Sequence, residues 1–262
     1  MYTKLLAALL LALQLQQPSH AQAAPSALAL SYQQQVDQRL DLPADEAQRY
    51  GVLALEVLAQ SGVTLTLAQY VAVVDRDPKV QAILIYWLVP GTTSVLIGAS
   101  PVSTGRPGQF DHFETPTGVF EHSMANPDYR AEGTKNTNGV RGYGAKGMRV
   151  FDLGWQQAER GWGKGGISKI RLQMHATDPD LLEPRLGSAQ SKGCIRIPAT
   201  LNRLLDQFGV LDADYEAARA AGRPVWVVPA ARAPVAASGR YLIVVDTQRH
   251  ERPAWSPEPA RR

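Results

Sequence analysis

Cysteine is almost absent from this sequence of 262 residues, in which Cys194 is the only one. A single cysteine excludes an internal disulfide, and a lone thiol in an oxidising compartment is at risk of oxidation. Such a residue is therefore either buried and inert or retained for its reactivity. The count alone does not choose between these two roles, so the neighbours of Cys194 must decide.

The sequence also lacks an apolar run long enough to cross a bilayer. The N-terminal run Leu5–Leu13 has nine residues, whereas a spanning helix needs about 20. Lys4 before this run and the small residues Ala21 and Ala23 after it are typical of a signal peptide covering residues 1–23. We therefore expect export to the periplasm or cell-wall space, with no stable membrane span.

Patterns typical of nucleic-acid binding and of metal binding are missing as well. The net charge is only +3 and no Lys/Arg run is present, so nucleic acid is not an expected partner. His175 with Asp178 and Asp180 is too small a ligand set for a zinc peptidase, and the sequence has no HExxH motif. We expect no metal and no cofactor. Three other histidines fall in predicted loops and are expected to be solvated: His112, His122 and His250.

What the sequence does contain is a helical start followed by β-strands. Apolar spacing predicts a helix over 44–60, preceded by a flexible Ala/Pro/Ser-rich segment over 24–30. Apolar runs bounded by turn residues predict strands at 70–74, 82–87, 93–99, 117–120, 170–174, 225–228 and 241–245. Two further helices are predicted over 198–208 and 212–220.

The stretch from residue 121 to residue 166 is long, glycine-rich and poorly periodic. Loops of that length within a compact domain are usually functional, so we interpret this excursion as a lid or a substrate-binding segment. Its aromatic residues either line a substrate groove or pack the loop down. Both interpretations stay open for four residues: Tyr129, Tyr143, Trp155 and Trp162.

The chemistry-bearing segment is Ser-Lys-Gly-Cys-Ile-Arg over residues 191–196. A cysteine nucleophile needs a base or a positive field, because its thiol is mostly protonated at neutral pH. Lys192, Arg196 and the N-terminus of the following helix can each lower the pKa of the Cys194 thiol. Gly193 permits a sharp turn and close approach of a substrate. His175, nineteen residues earlier, is the candidate base.

At these residues the sequence resembles the L,D-transpeptidases of the YkuD type. His175 and the segment 191–196 match the family's His followed by Ser-His-Gly-Cys, and two upstream turns, 102–105 and 115–120, match as well. The resemblance covers roughly residues 69–228. It implies a mainly β fold with α additions, a β-sandwich or barrel-like catalytic domain over 67–230. We expect a helical preface over 24–66, a strand extension over 231–250 and a disordered tail over 251–262.

The resemblance also implies a role for most site residues. Cys194 is the nucleophile, His175 is its general base and acid, and Ala176 orients His175 through its backbone carbonyl. The backbone of Gly193 and Cys194 faces the oxyanion. Arg196 either holds a substrate carboxylate or braces the loop.

Two positions depart from the family's usual pattern: Lys192 within the motif, and Ala176, which follows the candidate base where Gly or Ser is frequent. Ser191 is expected to brace the loop through its hydroxyl. Lys192 stands where the family usually has His, and we expect its charge to make the Cys194 thiol more acidic than a Lys192→His variant.

The implied reaction is acyl transfer on the stem tetrapeptides of peptidoglycan, with release of D-Ala. The acceptor is an amine of a second stem or of a wall-anchored protein, and water as acceptor gives carboxypeptidase activity. Carbapenem-type inhibitors are expected to acylate Cys194. Two alternatives remain open at this point: an amidase that cleaves another amide bond of the wall peptides, and a non-catalytic wall-binding module.

Overall fold

The computed structural model of the chain describes residues 20–92 and 94–258. Residues 1–19 of the predicted signal peptide therefore lie outside the described residues. The helices of the described part are α1 (His20–Gln35), α2 (Ala44–Gln60), α3 (Ala199–Phe208) and α4 (Ala213–Ala220). Its strands are β1 (Gln69–Asp75), β2 (Ala82–Leu88), β3 (Val95–Pro101), β4 (Gly118–Glu121), β5 (Tyr129–Arg130), β6 (Arg149–Glu159), β7 (Ile167–Ala176), β8 (Ile195–Ile197) and β9 (Tyr241–Val245). No helix in this part is long and apolar enough to span a membrane.

Two mixed sheets face each other across the main hydrophobic core. The first sheet has the order β3-β2-β1-β9-β4 and the second has the order β5-β6-β7-β8. Ile85 and Trp87 from the first sheet meet Leu172 and Met174 from the second in one buried cluster. The predicted mainly β fold with α additions, arranged as a sandwich, is therefore confirmed.

Helix α2 covers the opposite side of the first sheet. Its buried residues Tyr50 and Leu58 pack against Val71 and Leu84 in a second cluster. Strands β1 and β2 are consequently buried on both faces, which explains why their sequences are continuous apolar runs and not alternating ones.

Helix α1 corrects the prediction of a flexible segment over 24–30. Residues 24–30 are helical, and Leu28 and Tyr32 lie in the main core with Val36. The Tyr32 hydroxyl also shares a 2.6 Å hydrogen bond with the Ser100 hydroxyl at the end of β3. The helix runs across the predicted cleavage position after residue 23, and its buried side chains make the N-terminal helices part of the sandwich.

The C-terminal residues also depart from the prediction. Strand β9 is not an extension, because it lies between β1 and β4 in the first sheet. The predicted strand over 225–228 is wrong: these residues form a turn whose valines pack on Tyr215. The predicted disordered tail is wrong over 251–258, where the Ser256 hydroxyl donates to the carbonyls of Lys79 and Val80 at 2.7 and 2.9 Å.

The excursion over 121–166 contains strands that the sequence did not predict. It contains β5 and the long strand β6, which pairs antiparallel with β7 along most of its length. A bulge between Asp152 and Trp155 interrupts the alternation of β6, and Gly154 occupies it at φ +77°. The bulge hid the strand from a sequence pattern that looks for strict alternation. The loops that remain of the predicted excursion are 122–128, 131–148 and 161–166.

Candidate active site

The turn that carries Cys194 rests on the two upstream motifs. Ser103 exchanges backbone hydrogen bonds with Arg196 at 3.0 and 2.9 Å, and the amide of Ser191 donates to the carbonyl of Thr104 at 2.9 Å. The buried hydroxyl of Thr115 accepts from the amide of Gly105 and donates to the carbonyl of Gly193, both at 2.8 Å. The two motifs therefore form the support on which the cysteine turn is built.

Glycine is required at position 193. Its φ is +127°, and a Cβ there would lie 3.0 Å from Ile170 Cδ1 and 3.2 Å from Phe113 Cβ. A side chain would therefore meet both backbone strain and a packed neighbour.

The hydroxyl of Ser191 braces the turn from inside. Ser191 Oγ donates to the carbonyl of Cys194 at 2.5 Å and accepts the amide of Gly193 at 3.0 Å. The Gly193 amide is therefore already used, which corrects the expectation that it faces an oxyanion. The amide of Cys194 is the next donor along this turn.

Strand pairing places the thiol beside β7. Strand β8 runs parallel to β7 with Met174 beside Ile195, so Cys194 lies level with Gln173. The partly exposed thiol makes a long hydrogen bond of 3.8 Å to the carbonyl of Arg171. It therefore sits at the edge of the second sheet, between Arg171 and His175.

His175 lies on the face of β7 that points away from the core. Its Nδ1 atom donates to the carbonyl of Ala176 at 2.6 Å, and because a carbonyl only accepts, the proton of the neutral ring is on Nδ1 and Nε2 is a free base. The ring of Tyr143 lies edge-on to it with centroids 4.6 Å apart. The pKa of His175 is lowered to about 4, chiefly by burial; the hydrogen bond to the Ala176 carbonyl opposes this shift, and the charge of Arg196 makes a smaller contribution to it.

The pKa of the Cys194 thiol is raised overall, although one of the predicted positive charges lowers it. Burial raises the pKa of Cys194, with a smaller rise from Asp152, and a backbone hydrogen bond from Gln173 and the charge of Arg196 only partly oppose it. Lys192 instead forms an exposed 2.7 Å ion pair with Asp111.

The helix that follows the motif does not act on the thiol either. Helix α3 begins at Ala199, beyond β8, and the Ala199 amide donates to the carboxylate of Glu183 at 3.1 Å. Of the three predicted sources of positive field, only Arg196 acts on the sulfur.

Arg196 combines a structural contact with an electrostatic one. Its Nη1 atom donates to the carbonyl of Gln190 at 3.3 Å, which favours the loop-bracing role. Its charge lowers the pKa of Cys194 and also that of His175. The same guanidinium thus favours a thiolate and disfavours an imidazolium.

The wall of the site combines two tyrosines named from the sequence with Gln173 and Asp152, which the sequence did not single out. Gln173 Nε2 donates to Asp152 Oδ2 at 2.9 Å, and its Oε1 accepts from the hydroxyls of Tyr143 at 3.2 Å and Tyr129 at 3.4 Å. This network leads along the outer face of the second sheet to the ring of His175. Only the register of β6 on β7 brings Asp152 beside Gln173, and no local motif encodes that register.

A protein-family model supplies the decisive comparison. The model of the L,D-transpeptidase catalytic domain, YkuD, matches residues 69–227, well over half of the chain. The chain belongs to this family. No curated protein matches it in sequence. Members of the family are cysteine-dependent transpeptidases that act on peptidoglycan stem peptides.

The aromatic residues of this L,D-transpeptidase domain divide between the two roles that the sequence left open. Trp162 packs the loop down, with its ring edge-on to Phe113 at 4.8 Å between centroids. Tyr129 and Tyr143 contact each other and line the site at His175. Trp155 is 63% exposed and lies on the same face.

Two histidines predicted to be solvated are not. His122 is fully buried. Its Nδ1 donates to the carbonyl of Leu211 at 2.8 Å, and its Nε2 is bonded to Asp128 at 2.9 Å. Burial disfavours its charged form, yet the Asp128 carboxylate raises the pKa of His122 above the ordinary value. His112 is half-buried beside the cysteine turn, and burial with the charge of Lys192 lowers its pKa. Only His250 is exposed, as predicted.

Proposed function

We propose that this protein is a peptidoglycan L,D-transpeptidase in which Cys194 is the nucleophile and His175 the general base and acid. The observation that carries the proposal is the outward-facing His175, whose Nε2 is free and whose ring stands on the strand that contacts the thiol. The substrate is a stem tetrapeptide, attacked at the carbonyl that precedes the terminal D-Ala.

In the first step the sulfur of Cys194 bonds to this carbonyl carbon. The thiol proton passes to Nε2 of His175, and the oxyanion is stabilised by the amide of Cys194. When the C–N bond breaks, Nε2 returns the proton to the leaving amine, and D-Ala departs. Because the pKa of the thiol is raised and that of His175 lowered, the resting pair is neutral and proton transfer accompanies the attack.

In the second step an acceptor amine attacks the thioester. The amine loses its proton to His175, the C–S bond breaks, and the proton returns to the sulfur. An amine of a second stem gives a cross-link, an amine of a wall-anchored protein gives an attachment, and water gives a tripeptide. No cofactor is required for any of these steps.

The test is mass spectrometry of disaccharide-tetrapeptide incubated with the protein. We expect loss of D-Ala together with a dimer, an exchange product or a tripeptide, which identifies the acceptor. Cys194→Ser and His175→Gln are expected to abolish product, whereas His250→Gln, which changes an exposed histidine, is the matched control. Binding of the substrate without turnover by a folded wild-type protein contradicts the proposal and favours the wall-binding module. Cleavage without release of D-Ala favours an amidase.

We also propose that residues 1–23 direct export to the periplasm or cell-wall space, where the substrate lies. N-terminal sequencing of the protein recovered from that compartment tests this, with a mature start at Ala24 as the expected result. A protein that keeps Met1 and stays inside the cell contradicts it.

A further inference from the structure

The outer face of the second sheet continues past the catalytic pair. On β7, Arg171, Gln173 and His175 point to this face, because Leu172 and Met174 between them are buried in the core. The thiol of Cys194 lies level with Gln173. Arg171 and His175 therefore stand on opposite sides of the sulfur, about 13 Å apart along the strand.

Arg171 is held in place by one nitrogen and leaves the others available. Its Nε donates to Asp152 Oδ2 at 2.7 Å, and the Asp152 carboxylate is almost fully buried while the arginine side chain is 40% exposed. Within residues 20–92 and 94–258, neither terminal nitrogen of the guanidinium has a hydrogen-bond partner. A guanidinium anchored in this way presents two parallel donors that match a carboxylate.

Trp155 forms the second part of this surface. It pairs with Arg171 across the strands, and the bulge at Gly154 brings its side chain to the same face as Asp152. The Cζ atom of Arg171 lies 6.0 Å from the centroid of the indole ring, which is 63% exposed. An exposed tryptophan beside a partly free arginine is an amphipathic surface, apolar on the ring and anion-binding at the guanidinium.

The other cations near the thiol are more engaged. Arg196 donates from Nη1 to the carbonyl of Gln190, and Lys192 is paired with Asp111. Arg171 is thus the arginine next to the sulfur that has both terminal nitrogens open to a ligand.

We propose that Arg171 and Trp155 form a subsite for a carboxylate on the acyl part of the donor, the part that stays on Cys194 after the leaving group departs. The inference rests on the proposed function and adds which part of the donor peptide this subsite binds. His175 delivers the proton to the leaving amine, so the leaving residue lies on the His175 side of the sulfur. A carboxylate bound by Arg171, on the opposite side, belongs to the retained peptide.

Binding calorimetry in the Cys194→Ala background tests this without turnover. Three forms of the tetrapeptide are compared: the free acid, a form amidated at the carboxylates of the acyl part, and a form amidated only at the terminal D-Ala. We expect Arg171→Gln to weaken binding of the free acid about tenfold, as for loss of a charge-assisted hydrogen bond at a partly exposed site. Amidation of the carboxylates of the acyl part should weaken binding to the parent protein by the same factor. Arg171→Gln should then weaken binding of this amidated form no further.

Two controls separate binding from fold and net charge. Arg171→Gln leaves the buried Asp152 without its cation, so the double variant Arg171→Gln/Asp152→Asn, with its melting temperature, shows whether the fold is kept. Lys192→Gln removes the same charge from a residue already paired with Asp111 and is expected to bind all three forms like its parent.

The inference is overturned if Arg171→Gln weakens binding of the free acid and of the form amidated on the acyl part equally. It is also overturned if the effect of Arg171→Gln disappears only in the form amidated at the terminal D-Ala. The outcome is separable from that of the proposed function. Release of D-Ala by the wild type without the coupling removes only the subsite. Coupling without release of D-Ala keeps the subsite and removes the reaction.

Discussion

The Nδ1 atom of His175 donates a 2.6 Å hydrogen bond to the backbone carbonyl of its neighbour Ala176. This contact holds the ring on the outer face of β7 and leaves Nε2 as the base. Because the acceptor is a main-chain atom, the side chain at position 176 does not have to be conserved for the contact to form. Alanine serves where the family often has glycine or serine.

The low pKa of His175 predicts an unusual acid limb in the rate profile. Protonation of Nε2 removes the base, so kcat/KM for D-Ala release should fall only as the pH approaches about 4. Tyr143→Ala should expose the ring, raise its pKa towards the ordinary value of about 6.5 and lower the rate between these two pH values. Tyr143→Phe keeps the ring contact and is the control. An acid limb near pH 6.5 in the wild type contradicts this account.

Arg196, and not Lys192, should set the acidity of the thiol. Arg196→Gln removes the positive charge that lowers the pKa of Cys194, so the thiol pKa should rise and alkylation by iodoacetamide at neutral pH should slow. Lys192→Gln and Lys192→His should leave the thiol pKa unchanged, because the ammonium is paired with Asp111 in solvent. The pH dependence of the alkylation rate measures both. A higher thiol pKa in Lys192→His than in the wild type would restore the prediction made from the sequence.

Thr115 should be needed for both stability and activity. Thr115→Val keeps the shape of the side chain but leaves the amide of Gly105 and the carbonyl of Gly193 without the hydroxyl that bridges them. We expect the free energy of unfolding to fall by about 1–3 kcal/mol and D-Ala release to drop, because the cysteine turn loses its support. Thr115→Ser retains the hydroxyl and should recover most of both. Urea denaturation with wild-type stability in Thr115→Val speaks against this role.

A buried charge network behind the second sheet predicts the largest stability effect. Arg149 is fully buried, with Nε at 2.6 Å from Asp128 Oδ2 and Nη1 at 2.6 Å from Asp212 Oδ2. Arg149→Met removes the cation that these two carboxylates share, leaving Asp128 with His122 and Asp212 with Arg232. It should cost about 3–5 kcal/mol in the free energy of unfolding. Lys192→Gln, which breaks an exposed pair, should cost under about 1 kcal/mol. Similar midpoints of thermal unfolding in the two variants contradict the expected ranking.

The elements that can be predicted from the sequence are those whose signal lies within the element itself. Strands β1 and β2 are continuous apolar runs because both faces are covered, and α3 ends where Gly209 adopts a left-handed φ of +56°. Strand β6 was missed because its bulge breaks the alternation. The helix over 24–30 was missed because composition suggested a linker, whereas Leu28 is held by tertiary packing.

The site residues likewise divide into those that a local motif reveals and those that only the fold brings together. Cys194 and its neighbours form one contiguous motif, so a sequence reveals them. Asp152, Arg171 and Gln173 come together only through the pairing of β6 with β7. The buried state of His122 likewise depends on Asp128 and on the carbonyl of Leu211, which the chain supplies from separate elements. A sequence pattern contains neither relationship.

The most direct test of the central claim is the intact mass of the protein during turnover of disaccharide-tetrapeptide. We predict a transient adduct on Cys194 with the mass of the donor minus D-Ala, absent in Cys194→Ala and discharged when an acceptor amine is added. Release of D-Ala without any adduct, or an adduct that persists in Cys194→Ala, would contradict acyl transfer through this thiol.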